Sequence, residues 1–148
     1  LQAEAGKRDL VRSRGLGDGY KGQNLQDALV AATSEDRVKT SDLERAAHAC
    51  GRSYPDLIRL RAGQLETAPD AVVYPESHEE TLAVLTACAK YKTAVVPFGG
   101  GSSVVGGVEG LAGPKHKAVV TLDTTRMAQL LEIDEVSHTA TFQCGIWG

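Results

Sequence analysis

A short β-branched run enters three consecutive glycines in Ala94-Val95-Val96-Pro97-Phe98-Gly99-Gly100-Gly101-Ser102-Ser103, and a second glycine pair follows at Gly106-Gly107. No other stretch restricts the fold as much. Ala94 to Val96 reads as a buried strand closed by Pro97. The glycines strip the backbone of Cβ atoms, so the peptide can adopt φ > 0 and lie flat against a ligand. Successive N–H groups in such a loop, backed by the Ser102 and Ser103 hydroxyls, form a nest for an anion, above all a phosphate or pyrophosphate. A lone triple glycine would more simply be a turn between strands. The entering strand, the trailing serines and the second glycine pair favour the anion site.

Two other phosphate loops are excluded by the same letters. A Walker A loop needs lysine and Ser/Thr after its last glycine, whereas Gly106 is followed by Gly107-Val108. The Rossmann fingerprint needs a third glycine where Val104 stands. With no lysine in the loop, backbone dipoles and hydroxyls would hold the anion, which suits a cofactor pyrophosphate that stays bound.

The flanking elements alternate. Ala71 to Tyr74 reads as a strand, and Ser77 and Glu80 form a capping box that opens a helix to Tyr91. Thr81, Leu82, Val84, Leu85, Cys88 and Ala89 give that helix a broad apolar stripe. Ala118 to Leu122 is a third strand, and Asp123 with Thr124 and Thr125 caps one helical turn through Met127. Gln129 to Asp134 and Thr139 to Cys144 read as an antiparallel hairpin, with His138 in its exposed turn. Lys115, His116 and Lys117 mark a solvent-exposed tip. Strand, helix, strand, loop implies a right-handed parallel crossover, with the three strands in one small sheet under the 77–91 helix.

The first part of the chain carries less chemistry. Gly15, Gly17, Gly19 and Gly22 make Arg14 to Gln23 a turn-rich connector. Asn24 caps a short helix to Ala32, and Ser41 or Asp42 caps another from Leu43 to Ala49, stopped by Gly51. Ser53-Tyr54-Pro55-Asp56 opens a third, with Leu57, Ile58 and Leu60 inward and Gly63 as its end. His48, beside Arg45 and Arg52, has two readings: a cationic contribution to a phosphate or carboxylate site, or a positive charge favoured at a helix C-terminus. The second is preferred, and Arg59 and Arg61 are read as a solvated face.

A formal net charge of −3 over 148 residues, without a basic cluster, argues against nucleic acid as a partner. No apolar run is long enough to span a bilayer, and the first residues lack the order of a signal peptide. Cys50, Cys88 and Cys144 are too scattered for a disulfide framework or zinc site and are expected as free thiols. No nucleophile triad, paired-carboxylate site or metal cluster stands out; metal ligands are expected to be absent and the catalytic residues are unassigned.

The run PFGGGSSVVGGV resembles the first pyrophosphate loop of FAD-linked oxidases of the vanillyl-alcohol oxidase type. The flanking stretches HACGRSYPDLIRLRAG, APDAVVYPES and TLDTTRMAQLLEIDEVSHTATFQCGIWG are similar to bacterial relatives of alkyldihydroxyacetonephosphate synthase. The resemblance implies an α+β fold of the p-cresol methylhydroxylase (PCMH) type. It would comprise a helical or linker segment over 1–67 and an FAD-binding domain over 68–148: a small parallel sheet with covering helices, then the start of an antiparallel subdomain. It also implies that the 148 residues are the N-terminal part of a longer flavoenzyme. FAD is the expected cofactor, with Pro97, Phe98, Gly99, Gly100, Gly101, Ser102 and Ser103 against its diphosphate. The implied activity is exchange of an acyl for an alkyl group on an acylated dihydroxyacetone phosphate, in ether-lipid chemistry. One alternative is an FAD-linked oxidoreductase acting on a 2-hydroxy acid; another is a phosphate-binding module without catalysis. A small-molecule substrate held by downstream parts, a cytoplasmic bacterial setting, peripheral membrane association through a lipid substrate and a homodimer complete the expectations.

Overall fold

The computed structural model describes residues 20–147, and of Tyr20 and Lys21 only the backbone. The chain runs α1 (Tyr20–Ala32), β1 (Val38–Lys39), α2 (Asp42–Ala47), α3 (Tyr54–Arg61), β2 (Ala71–Val73), α4 (His78–Tyr91), β3 (Thr93–Phe98), β4 (Ala118–Asp123), β5 (Leu130–Asp134) and β6 (Thr139–Phe142). Four strands form one sheet in the order β1-β2-β4-β3, and β5 and β6 form a separate antiparallel pair. The parallel strands β2, β4 and β3 are the sheet expected from the sequence, with β4 between the two strands that α4 connects. Pro97 falls within β3 rather than closing it. It is tolerated because β3 is an edge strand, where a missing N–H costs no ladder bond.

β1 is the strand that periodicity could not reveal. Only Val38 and Lys39 pair, antiparallel to Val73 and Val72. The approach is fixed by Arg37, whose backbone carbonyl accepts from Tyr74 N–H at 3.1 Å. Its guanidinium meets both Glu80 carboxylate oxygens at 2.7 Å and Glu76 at 2.9 Å, joining β1 to the first turn of α4.

The core lies between the sheet and the α1–α4 layer. Leu25 and Leu29 of α1, Val38 of β1, Ala71 and Val73 of β2, Val84 and Cys88 of α4, and Val120 and Leu122 of β4 are buried together. The intervening residues Val72 and Thr121 are buried on the opposite face, where α2 packs on β2.

Several helix ends match the sequence chemistry. Ser41, Ser53 and Ser77 accept from the backbone N–H three residues on, and Ser53 completes a capping box with Asp56. At α4 the box is incomplete: Glu80 accepts instead from Glu76 N–H at 2.8 Å. α1 begins at Tyr20 and runs through Gly22, so the connector expected over Arg14 to Gln23 is helical from Tyr20; its earlier part lies outside the described residues. α2 stops at Ala47, before Gly51, with His48 as C-cap.

Three packing expectations are corrected. On α4 the sheet-facing stripe is Val84 and Cys88, while Leu82 is 57% and Leu85 42% exposed, because the helix turns a narrower face to the sheet. On α3, Leu57, Ile58 and Leu60 are exposed rather than inward, and Arg59 is not solvated freely but pairs with Asp56 and Glu109. No helical turn follows Asp123: its carboxylate accepts from Thr125 N–H at 2.8 Å in a side-chain-closed turn.

Candidate diphosphate site

The carboxyl ends of the three parallel strands converge on one place, the position where open α/β sheets commonly bind ligands. β3 delivers Phe98 and the glycines after it, β4 delivers Asp123, and β2 is followed by Tyr74. A cavity of about 380 Å³ opens there, lined by Phe98, Gly99, Gly100 and Gly101 from the loop and by His48, Arg52, Asp123 and Trp147 from elsewhere.

The loop has the character of a nest. Among the described residues, none of the backbone N–H groups from Gly99 to Ser103 donates a hydrogen bond. Gly101 takes φ +64°, and a Cβ there would stand 2.6 Å from Phe98 Cζ, so the Phe98 ring packs beneath the loop only because the residue is glycine. A Cβ on Gly99 would meet nothing within 4 Å, so that position is open. At Gly100 it would make ordinary contact with the Trp147 indole, 3.5 Å away. The Ser103 carbonyl accepts from Arg52 N–H at 2.8 Å, and the Ser103 hydroxyl accepts from Gly107 N–H at 3.1 Å. Ser103 therefore braces the loop on both sides, while Ser102 is exposed; Pro97 is exposed on β3.

Beneath the loop lies a buried polar cluster that the sequence did not signal as a unit. His48 Nε2 lies 2.8 Å from Asp123 Oδ2, and Nδ1 lies 2.8 Å from the Glu44 backbone carbonyl. Tyr74 donates its hydroxyl to Glu44 Oε1, and the Tyr74 hydroxyl oxygen lies 3.3 Å from His48 Nε2. The His48 ring rests against Phe98, with centroids 4.5 Å apart.

Both nitrogens of His48 thus face acceptors, an arrangement only the doubly protonated ring satisfies completely. Burial opposes that charge, but the Asp123 hydrogen bond, the Glu44 carbonyl and the charges of both carboxylates outweigh it and hold the pKa above the ordinary histidine value. For Asp123, burial acts upward, and hydrogen bonds from His48 and Thr125 overcome it and hold the carboxyl below its usual range. Tyr74 is pushed well up by burial first and by its bond to Glu44. His48 is therefore neither a mere helix-end charge nor a free cation: it is the buried partner of Asp123. The available signal for Asp123 was its position at the end of a parallel strand, which the capping interpretation passed over.

No metal-binding cluster occurs among the described residues, and no described helix is long and apolar enough to cross a membrane. Cys50, Cys88 and Cys144 are free thiols.

Residues 69–148 match the family described as "FAD binding domain". The chain is 36% identical over 126 residues to the alkyldihydroxyacetonephosphate synthase of Trypanosoma brucei brucei, covering 85% of this chain and 21% of the relative. It is 37% identical over 83 residues to the glycolate oxidase subunit GlcD of Bacillus subtilis (strain 168), covering 56% of this chain and 17% of the relative. The chain therefore spans about a fifth of the length of these curated relatives. A solved alkyldihydroxyacetonephosphate synthase superposes with a TM-score of 0.81 at 34% identity, over 93% of this chain and 25% of that one. For p-cresol methylhydroxylase the TM-score is 0.57 at 17% identity, over 81% and 22%, a likeness of fold. With the strand-borne glycine loop inside the matched residues, the α+β architecture is the PCMH type, and the chain belongs to the FAD-binding domain family, with FAD as its cofactor.

Proposed function

We propose that Gly99 to Ser103 hold the FAD diphosphate and that the chain serves a flavoenzyme of the alkyldihydroxyacetonephosphate synthase type. The observation that carries the first half is the series of backbone N–H groups in the loop that donate to nothing else among the described residues. Gly99, Gly101 and Ser103 are buried or half-buried, where amides seldom stay unpaired, so the series is suited to a bound anion. Pro97 and Phe98, the last residues of β3, deliver the loop to the diphosphate, with the Phe98 ring propping Gly101. The second half is supported by 36% identity to a synthase across 85% of the chain and by the fold match at a TM-score of 0.81.

The role of these residues is to bind and orient. The loop receives the diphosphate, the His48–Asp123 pair fixes the floor, and FAD when bound supplies the reactive ring system. In the synthase reaction an acylated dihydroxyacetone phosphate would exchange its carboxylate group for the alkoxy group of a long-chain alcohol, with no net redox change. The similarity to glycolate oxidase subunit GlcD supports a second reading, oxidation of a 2-hydroxy acid.

Two measurements on the whole protein test this. Its absorption spectrum should show bound flavin in the yellow region. Incubation with an acyl dihydroxyacetone phosphate and a radiolabelled long-chain alcohol should then give labelled ether product without consuming an electron acceptor. Reduction of a dye by glycolate or D-lactate, with no ether product, would replace the synthase reading by the oxidoreductase one. Flavin without either activity would leave a binding module.

A further inference from the structure

Gly51 and Arg52 lie flush against the glycine loop. A Cβ on Gly51 would stand 2.0 Å from the Ser103 carbonyl oxygen, the same oxygen that accepts from Arg52 N–H at 2.8 Å. The contact needs glycine and fixes where the next side chain starts. Arg52 then lines the cavity together with Gly99, Gly100 and Gly101.

The charges around it are unequal. Arg37, Arg59 and Arg126 are each paired with carboxylates, and Arg45 with Asp42. Arg52 has no such partner among the described residues. Asp123, the carboxylate lining the same cavity, is already held by His48 and Thr125. The cavity therefore carries one cation without a counter-ion, beside amides without acceptors and in a loop without lysine.

We propose that Arg52 supplies the side-chain cation for the flavin diphosphate at the Gly99–Ser103 nest; this rests on the reading of that loop given above. A diphosphate linkage is dianionic and presents several oxygens, and a guanidinium can engage two of them at once with charge-assisted hydrogen bonds. The loop amides alone would neutralise little of that charge.

The test is titration of the flavin-free whole protein with FAD, followed by quenching of flavin fluorescence, for Arg52→Ala, Arg52→Lys and Gly99→Val. Arg52 is exposed and ties to Ser103 through its backbone, so the alanine variant should keep its circular dichroism spectrum. Its dissociation constant for FAD should rise about tenfold or more, the usual consequence of losing a hydrogen bond to a charged group. Lysine should recover part of the loss, since it restores charge without the fork. If Gly99→Val loses FAD while Arg52→Ala stays within about twofold of the parent, the proposal is overturned and the loop reading stands. If neither variant loses FAD, both readings fall. An unchanged FAD affinity with a raised KM for a phosphorylated substrate would assign Arg52 to substrate and likewise overturn the proposal.

Discussion

At Gly101 and Gly99 the same residue type serves opposite ends. Gly101 combines φ +64° with a Phe98 ring where a Cβ would go, so Gly101→Ala should destabilise the chain by about 1–3 kcal/mol from backbone strain alone, and should lose flavin as a consequence. Gly99 has open space at its Cβ position, so Gly99→Val should leave the thermal midpoint nearly unchanged and lower flavin content directly. Equal thermal midpoints for the two variants would refute this division. His48 gives a pH dependence of definite sign. Its pKa is raised in the fold, so its contribution is complete below about 6.5 and is lost as pH rises through the raised value. Asp123 is depressed, so its share is present above about 3.9 and is lost as pH falls through the lowered value. His48→Leu would strand the Asp123 carboxylate and cost about 3–5 kcal/mol near neutrality, and the variant should no longer lose stability on the alkaline side; thermal unfolding across pH checks both. The glycine stretch was legible as a loop after β3 because its residue pattern is local. The His48–Asp123 pair was not, because its members are 75 residues apart and meet only through the sheet.

Among the elements, those fixed by local chemistry were legible: serine-capped helices, the strands flanking α4, and the β5–β6 hairpin. β1 was not, since two residues hold no period and the pairing depends on Arg37 reaching Glu76 and Glu80. The stripe on α4 was half legible. Helical spacing named Val84 and Cys88 correctly but also admitted Leu82 and Leu85, because a 3.6-residue period defines a direction and not how wide a face the sheet will cover. Alanine substitutions measure the difference. Leu29→Ala, fully buried between α1 and the sheet, should cost about 2–5 kcal/mol. Leu82→Ala should change the stability of the 148-residue chain by no more than about 0.5 kcal/mol. Chemical denaturation of both variants decides it, and a large loss at Leu82 would restore the broader stripe.

For the molecule as a whole, the proposed diphosphate contact limits how tightly this chain would hold FAD. The amides of Gly99 to Ser103, at about 0.5–1.5 kcal/mol net for each hydrogen bond, could together contribute several kcal/mol. A charge-assisted contact from Arg52 would add about 1.5–3 kcal/mol. Against this stands an association cost of at least about 4 kcal/mol. What remains is at most about 6.5 kcal/mol, a dissociation constant of tens of micromolar at the tightest. The cavity at the loop, about 380 Å³, is bounded on one side by Trp147, which is 67% exposed and so forms a soft wall. Large apolar side chains are exposed nearby as well, Leu57 and Leu60 on α3 and Val104 and Val105 after the loop, so little of the surface around the site is ordered by burial. Isothermal titration of the 148-residue chain with FAD should accordingly give weak binding. It should weaken further as salt is added, because the interaction is largely between charges and dipoles at an open surface. Submicromolar binding with one flavin per chain would mean that these residues form the whole site, including the surfaces that hold the rings, and the account of the nest as a diphosphate contact alone would have to be given up.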